Sequence, residues 1–253
     1  MRKIQITLIA LLVSVTSQVY AQPQFKALLF TKTAGWHHTS INEGVDGLRQ
    51  LSKRHQFDLV WQEDANYFNP QYLQQFDVII FLSTTGDILN DEQQAAMEDF
   101  IQSGKGFVGI HAASDTEYEW PWFKQLVGRM FKIHPRNQTA KLTVLDAGFP
   151  GMERMPAKFW WTDEWYEFGE ETSENLNYLL SIDESTYEPE AQWGDNIGKG
   201  MGDFHPLAWY QEFDGGRSFY TALGHMAETY SDKMFLEHIY GGIFWAATGK
   251  GIE

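Results

Sequence analysis

Three features of the sequence predict an α/β fold with a doubly wound, mostly parallel sheet. Short apolar runs alternate with longer amphipathic stretches up to residue 127, the pattern of repeated strand-helix-strand units. One run, Phe76 to Leu82 (FDVIIFL), is almost continuously apolar, as a strand covered on both faces requires. Polar and ionisable residues cluster directly after the runs, where the carboxyl ends of parallel strands open a ligand crevice.

Phe25 to Phe30 (FKALLF) reads as the first strand, followed by the loop TKTAGWHHTS, Thr31 to Ser40. Ser40 can cap a helix from Ile41 to about Arg54, with Leu48 and Leu51 on its inward face. Phe57 to Trp61 is the second strand and runs into acidic Glu63 and Asp64. The third, ending at Leu82, leads into the hydroxyl-rich segment Ser83 to Asp87. Asn90 or Asp91 caps a helix to about Gln102, with Gly104 as its stop signal. The fourth strand is carried by Phe107, Val108 and Ile110 and stops at His111, before a helix near Trp120 to Val127. Four loops, after Phe30, Trp61, Leu82 and Ile110, are therefore expected to converge on one rim.

Later elements follow a different pattern. Thr139 to Leu145 alternates as a strand, Phe159 to Phe168 is the aromatic run FWWTDEWYEF, and Tyr178 to Ile182 is a short strand. Residues 183–204, rich in Gly, Asp, Glu and Ser, predict a long surface loop folded over the site. Pro206 to Phe213 and Arg217 to Leu223 flank Asp214-Gly215-Gly216, which predicts an added β-hairpin, and a last helix covers about Asp232 to Ala247. Neither repeat nor linker divides the chain, so residues 22–253 read as one domain.

Residues 1–21 stand apart. Arg2 and Lys3 precede an apolar run from Ile4 to Val15, and Val19-Tyr20-Ala21 suits a signal peptidase, so export to the periplasm or the exterior is expected. The run is too short for a comfortable membrane span, and no stable membrane insertion is expected. With no cysteine, lipid anchoring at the cleavage site, disulfides and thiolate chemistry are excluded. The net charge of −15, or −17 once Arg2 and Lys3 are removed, repels nucleic acid and anionic lipid. The 10 Trp and 11 Tyr favour a neutral saccharide partner, because flat amphipathic rings stack on sugar faces; the alternative use of most of these rings is the core.

The candidate chemistry centres on Gly106 to Trp122, GFVGIHAASDTEYEWPW. Gly109, His111 and Ala113 have the small-x-residue-x-small spacing of a nucleophile elbow, in which small neighbours let the middle side chain sit on a sharp turn. In the first loop, of the adjacent His37 and His38, His37 is taken as the one facing the site. His134 lies in a loop, while His205 and His225 lie at strand ends. His55 and His238 are assigned to the surface. Asp115, Glu117, Asp163 and Glu164 are the acidic partners; carboxylates among aromatic rings are desolvated, which raises their pKa and suits proton transfer. Glu117 with Glu164 has the composition of a glycosidase pair, His111 with a second histidine and a carboxylate that of a metal site, and Ser114 is not at the elbow position a serine triad needs. Phosphate-loop and dinucleotide fingerprints are missing.

These residues resemble a known family. LLFTKTAGWHHTSI (Leu28 to Ile41), the stretch from Val78 to Phe123, KIHP (Lys132 to Pro135), TDEWYEF (Thr162 to Phe168), IDEST (Ile182 to Thr186) and HPLAWYQEFDGGRSFYTALGH (His205 to His225) are similar, in this order, to the trehalose-utilisation or ThuA-like family. The resemblance covers nearly the whole mature chain. It implies the flavodoxin-like sheet of class I glutamine amidotransferases, whose elbow residue is a cysteine; His111 in that place rules out thiol-based glutamine hydrolysis. Family members often occur with sugar oxidoreductases and enzymes of keto-sugar metabolism, which implies a carbohydrate role. Carried onto this chain, the implied rim residues are His37, His111, Asp115, His134, Glu164, Trp165, His205 and His225.

The resulting expectation is an exported carbohydrate-active enzyme transforming or hydrolysing a saccharide or keto-saccharide. His111 acts as general base or ligand, and Asp115 or Glu164 as orienting or acidic partner. Trp36, His37, Glu117, Trp120, His134, Trp165, His205 and His225 are the expected substrate contacts. The alternatives are a sugar-binding protein without turnover and a metal-dependent hydrolase or isomerase, for which a divalent metal would be the cofactor.

Overall fold

A computed structural model describes residues 22–251; the expected signal segment, residues 1–21, lies outside the described residues. The chain forms an α/β fold around a large mixed sheet. In chain order the elements are β1 (Lys26–Phe30), α1 (Ile41–His55), β2 (Asp58–Gln62), α2 (Pro70–Leu73), β3 (Val78–Leu82), α3 (Asp91–Gln102), β4 (Gly106–Ile110) and α4 (Pro121–Val127). There follow β5 (Phe131–Ile133), β6 (Gln138–Val144), β7 (Lys158–Asp163), β8 (Glu167–Phe168), β9 (Asn177–Asp183), β10 (Ala191–Trp193), β11 (Asn196–Gly198), β12 (His205–Phe213), β13 (Gly216–Thr221) and α5 (Lys233–Thr248).

Nine strands make one sheet in the order β2-β1-β3-β4-β13-β12-β9-β6-β7. The first five are mutually parallel and the rest pair antiparallel. The hairpin around Asp214-Gly215 is part of this sheet: β13 lies parallel to β4 and β12 turns back against it. Strands β3 and β4 are buried at every position, whereas β2, at the edge, is only partly covered. Gly106 at the start of β4 lets α5 approach closely, since a Cβ there would lie 2.2 Å from the Ala246 carbonyl oxygen. Among the described residues no helix is long and apolar enough to cross a membrane.

Capping side chains mark the starts of α2, α3 and α5. Asn90 and Gln93 form a reciprocal capping box at α3, each side chain accepting from the other's backbone amide at 3.0 Å. Ser40 stands at the start of α1, but its side chain makes no capping hydrogen bond. His238, expected at the surface, is fully buried on α5, between Thr221 Oγ1 and Met152 Sδ, each 3.1 Å from a ring nitrogen. The cause is that α5 is apolar around most of its circumference and packs on β4 and β13. His55 is half-buried and stacks on Tyr240.

The expected loop over 183–204 instead contains the β10-β11 hairpin, closed by Gly194 at φ 61°. Glu167 holds that hairpin down by accepting from the amides of Lys199 and Gly200 at 2.8 and 2.9 Å. The aromatic run 159–168 divides, because β7 ends at Asp163 and β8 pairs with β5 in a separate two-stranded sheet.

Candidate functional site: a histidine-carboxylate cluster under an aromatic pocket

Parallel strands β1, β4 and β13 end at one edge of the sheet, and each delivers a histidine there. His38 comes from the loop after β1, His111 follows β4 directly, and His225 follows β13. Glu164 follows β7, four strands away from β13. In a flat sheet, strands about 4.8 Å apart would put these ends about 19 Å from each other. Instead the carboxylate of Asp163, the last residue of β7, accepts from the Gly224 and His225 amides beside β13 at 3.0 Å. The antiparallel half of the sheet therefore curls strongly, helped by register shifts in β12 at Pro206 to Trp209.

His111 occupies a left-handed turn, φ 53°. Gly109 is required beneath it: a Cβ at that position would lie 2.9 Å from Tyr220 and 3.2 Å from the Ala113 Cβ. The Tyr220 hydroxyl donates to the His111 carbonyl at 2.7 Å and also pairs with Ser114 at 2.8 Å, which locks the turn. Nδ1 of His111 faces the Ala222 carbonyl at 2.9 Å; a carbonyl only accepts, so Nδ1 carries the proton. Nε2 points into the cluster, 3.0 Å from Tyr166 OH, 3.2 Å from His225 Nδ1 and 3.5 Å from Glu164 Oε2.

The carboxylate of Glu164 is the hub. Its Oε2 lies 3.1 Å from His225 Nδ1 and its Oε1 3.2 Å from His134 Nδ1. Burial would raise Glu164, but the facing His111 and His225 imidazoles hold it well below the usual carboxylate range. Burial, reinforced by His111 and His225, pushes His38 down to about 3, so its ring is neutral, and its Nδ1 has no hydrogen-bond partner. For His225, burial is outweighed by Glu164 and the net shift is upward. Burial raises Asp115, whose carboxylate accepts from Tyr118 OH at 2.6 Å.

Above the cluster opens a cavity of about 360 Å³, with Trp36, Phe131, Tyr166 and Trp193 as walls and His38, Asp115, His134, Glu164 and His225 as polar lining. A larger groove of about 580 Å³ near Arg136, Gln138, Thr186 and Glu188 carries a surface ion pair, Arg136 to Glu188 at 2.7 Å, and no converging histidines. The smaller cavity is the chemically equipped one. Trp36 is 72% exposed at its mouth, and its loop is pinned by Thr85, which accepts from Ala34 N at 2.8 Å and donates through Oγ1 to the Trp36 carbonyl at 2.9 Å.

Of the residues anticipated from sequence, Trp36, Asp115, His134, Glu164 and His225 line this cavity, with His111 directly beneath. The remaining five lie elsewhere. His38 rather than His37 turns inward; His37 is exposed and pairs with Thr33 at 3.1 Å, because adjacent side chains in this loop diverge. Trp165 is buried in the core. Trp120 stacks on Trp122 and Phe123 and donates to Glu98 at 2.9 Å. His205 is buried between Glu184, at 2.6 Å, and the Tyr166 carbonyl, at 2.8 Å. Of the four loops expected to share the rim, the one after β2 lines a separate groove with Asp87 and Asn90. His38, Tyr166 and Trp193 escaped the reading from sequence; Trp193 sits at the turn of a Gly-closed hairpin, a signal that composition had blurred into loop.

Glu117 is structural. Its Oε1 accepts from the Ile88 and Leu89 amides at 2.8 and 2.7 Å, and its Oε2 from Gln94 at 2.8 Å, so it fastens the approach to α3. Replacing it with Ala leaves two buried amides unpaired. Glu117→Ala is expected to cost about 2–4 kcal/mol in urea denaturation; a loss under about 0.5 kcal/mol would contradict this role.

No curated protein matches the sequence. Among solved structures, the fold is similar to a ThuA-like protein from Bacteroides uniformis, with a TM-score of 0.74 and 22% identity over 91% of this chain and 94% of that one. A ThuA-like protein from Parabacteroides merdae gives 0.75 and 21%, with 92% of each chain covered. A β-galactosidase from Bacillus circulans gives 0.55 and 13% over 90% of this chain but 32% of that one. At these identities the likeness concerns the fold. The sequence itself matches the family model described as ThuA, trehalose utilisation, over residues 26–246, a span that includes every residue of the cluster and its cavity. This chain therefore belongs to the ThuA family.

Proposed function

We propose that the protein is an exported carbohydrate-active enzyme that transforms or hydrolyses a saccharide or keto-saccharide in the cavity above Glu164. The observation that carries the reading is the pairing of two accessible tryptophans, Trp36 and Trp193, with a floor of His38, His134, Glu164 and His225. Indole rings bind sugar faces, while the imidazoles and carboxylates supply hydrogen-bond and proton-transfer groups to hydroxyls and carbonyls. A cavity of about 360 Å³ suits one or two small rings rather than a polymer. The parallel strands, counted in chain order, follow 2-1-3-4-5, an order that supports the flavodoxin-like, doubly wound course, in which ligands bind at the carboxyl ends of the strands. Export rests on the leader pattern of residues 1–21. In this reading Asp115, raised by burial, is the acid-base group, Glu164 stays ionised and orients the facing imidazoles, and His111, below the floor, acts through its neighbours rather than on substrate.

The test is product formation from a panel of glycosides and their 3-keto derivatives, with and without divalent metals, followed by NMR. Asp115→Asn is expected to lower kcat at least ~100-fold on a turned-over member. Trp36→Ala is expected to raise KM about 5- to 10-fold and leave kcat nearly unchanged, as loss of one stacking surface should. Saccharide binding by calorimetry without turnover of any panel member would replace the enzyme with a sugar-binding protein.

A further inference from the structure

The four innermost groups crowd ring nitrogens and carboxylate oxygens into one buried space, and one of those nitrogens has no hydrogen-bond partner. His111 spends its proton on the Ala222 carbonyl, so its Nε2 offers one lone pair. That lone pair can accept from the Tyr166 hydroxyl at 3.0 Å, and it also lies 3.2 Å from His225 Nδ1 and 3.5 Å from Glu164 Oε2. The buried His38 Nδ1, nearby, has no partner at all. Three imidazoles and a carboxylate gathered in one buried space, one ring nitrogen unpartnered, make a donor set that suits a cation.

We propose that His38, His111, His225 and Glu164 form a binding site for one divalent transition-metal ion of the zinc type. Ligand atoms from all four lie within 4.8 Å of one another. Bonds of about 2.0–2.1 Å at tetrahedral angles put neighbouring ligand atoms about 3.3 Å apart. The separations between His225 and Glu164 (3.1 Å), His111 and His225 (3.2 Å), and His111 and Glu164 (3.5 Å) bracket that value. Three imidazoles and one carboxylate favour zinc, iron, cobalt, nickel or manganese over magnesium or calcium, which prefer all-oxygen shells.

Outer contacts are those a metal centre uses to aim its ligands. The Ala222 carbonyl fixes the His111 tautomer with Nε2 inward. His134 holds Glu164 Oε1 at 3.2 Å, leaving Oε2 toward the cluster. Asp163 ties down the His225 and Glu164 amides at 3.0 Å. His38, Glu164 and His225 also line the cavity, so a bound ion would be reachable by a ligand from that side. Such an ion would supply Lewis-acid polarisation of a sugar carbonyl or hydroxyl.

Metal content of the purified protein by mass spectrometry, and calorimetric titration with Zn²⁺ and Co²⁺ after chelation, test this directly. One ion per chain is expected, with Kd about 1 µM or tighter, and with visible ligand-field bands in the cobalt form. His38→Ala and His225→Ala are expected to weaken binding at least ~100-fold, and His134→Ala about 10-fold, with circular dichroism showing that each variant folds. The wild-type cobalt spectrum decides the matter should a variant not fold. Absence of stoichiometric binding, or unchanged binding in folded His38→Ala and His225→Ala, overturns the site. A metal-loaded protein inert toward the whole sugar panel sinks the carbohydrate reading and leaves the metal centre standing; a metal-free, chelator-insensitive active enzyme does the reverse.

Discussion

Asp163→Asn is expected to destabilise the protein by about 2–5 kcal/mol although it changes one atom. The fully buried Asp163 carboxylate accepts four hydrogen bonds: Oδ1 from the Glu164 and His225 amides, and Oδ2 from the Gly224 amide and Trp161 Nε1, at 3.0 to 3.3 Å. All four partners are donors. An amide NH₂ in place of either oxygen sets donor against donor and leaves two groups unpaired, each costing about 1–3 kcal/mol when buried. Because two of the bonds set the backbone beside Glu164 and His225, the damage also reaches the cluster. Urea denaturation of the two proteins, with metal titration of the folded fraction, is the measurement. A loss below about 1 kcal/mol would mean that packing alone closes the curled sheet.

The second large effect is on acid stability and comes from His238. Burial alone pushes its pKa from 6.5 down to about 3, so the folded protein keeps the ring neutral where the unfolded chain takes up a proton. The unfolded state binds more protons between those two values, and stability therefore falls as pH drops through that window, by about 1.4 kcal/mol per pH unit. Over the whole window the contribution is on the order of 4–5 kcal/mol. His238→Gln removes the titrating group and keeps polar atoms near Thr221. Its urea midpoint is expected to fall less than that of the wild type from pH 6.5 to pH 4, the remaining fall coming in part from His38, which burial shifts the same way. Parallel curves for the two proteins would show that the ring is already solvated or protonated in the fold.

Much of the architecture was legible from local pattern. The core strands at Lys26–Phe30, Val78–Leu82 and Gly106–Ile110 announce themselves as apolar runs, and the helix after Asn90 by its cap, because period and capping depend on near neighbours. The strand end at His111 was legible too, since Gly109 and Ala113 mark a turn needing small neighbours. Misplaced residues fail for one shared reason. Whether His37 or His38 turns inward depends on Thr85, some fifty positions away, pinning their loop. Glu117 carries the composition of a catalytic carboxylate, yet three donors from the approach to α3 absorb it.

The sequence by itself determined the family, the strand-helix alternation and the presence of histidines and carboxylates after strand ends. Only the tertiary structure decided which of them meet. Glu164 reaches His111 and His225 because the antiparallel half of the sheet curls until the end of β7 touches the end of β13. Periodicity along a strand says which face is buried; the accumulated twist and register of five strands, which no single segment encodes, says where its end arrives.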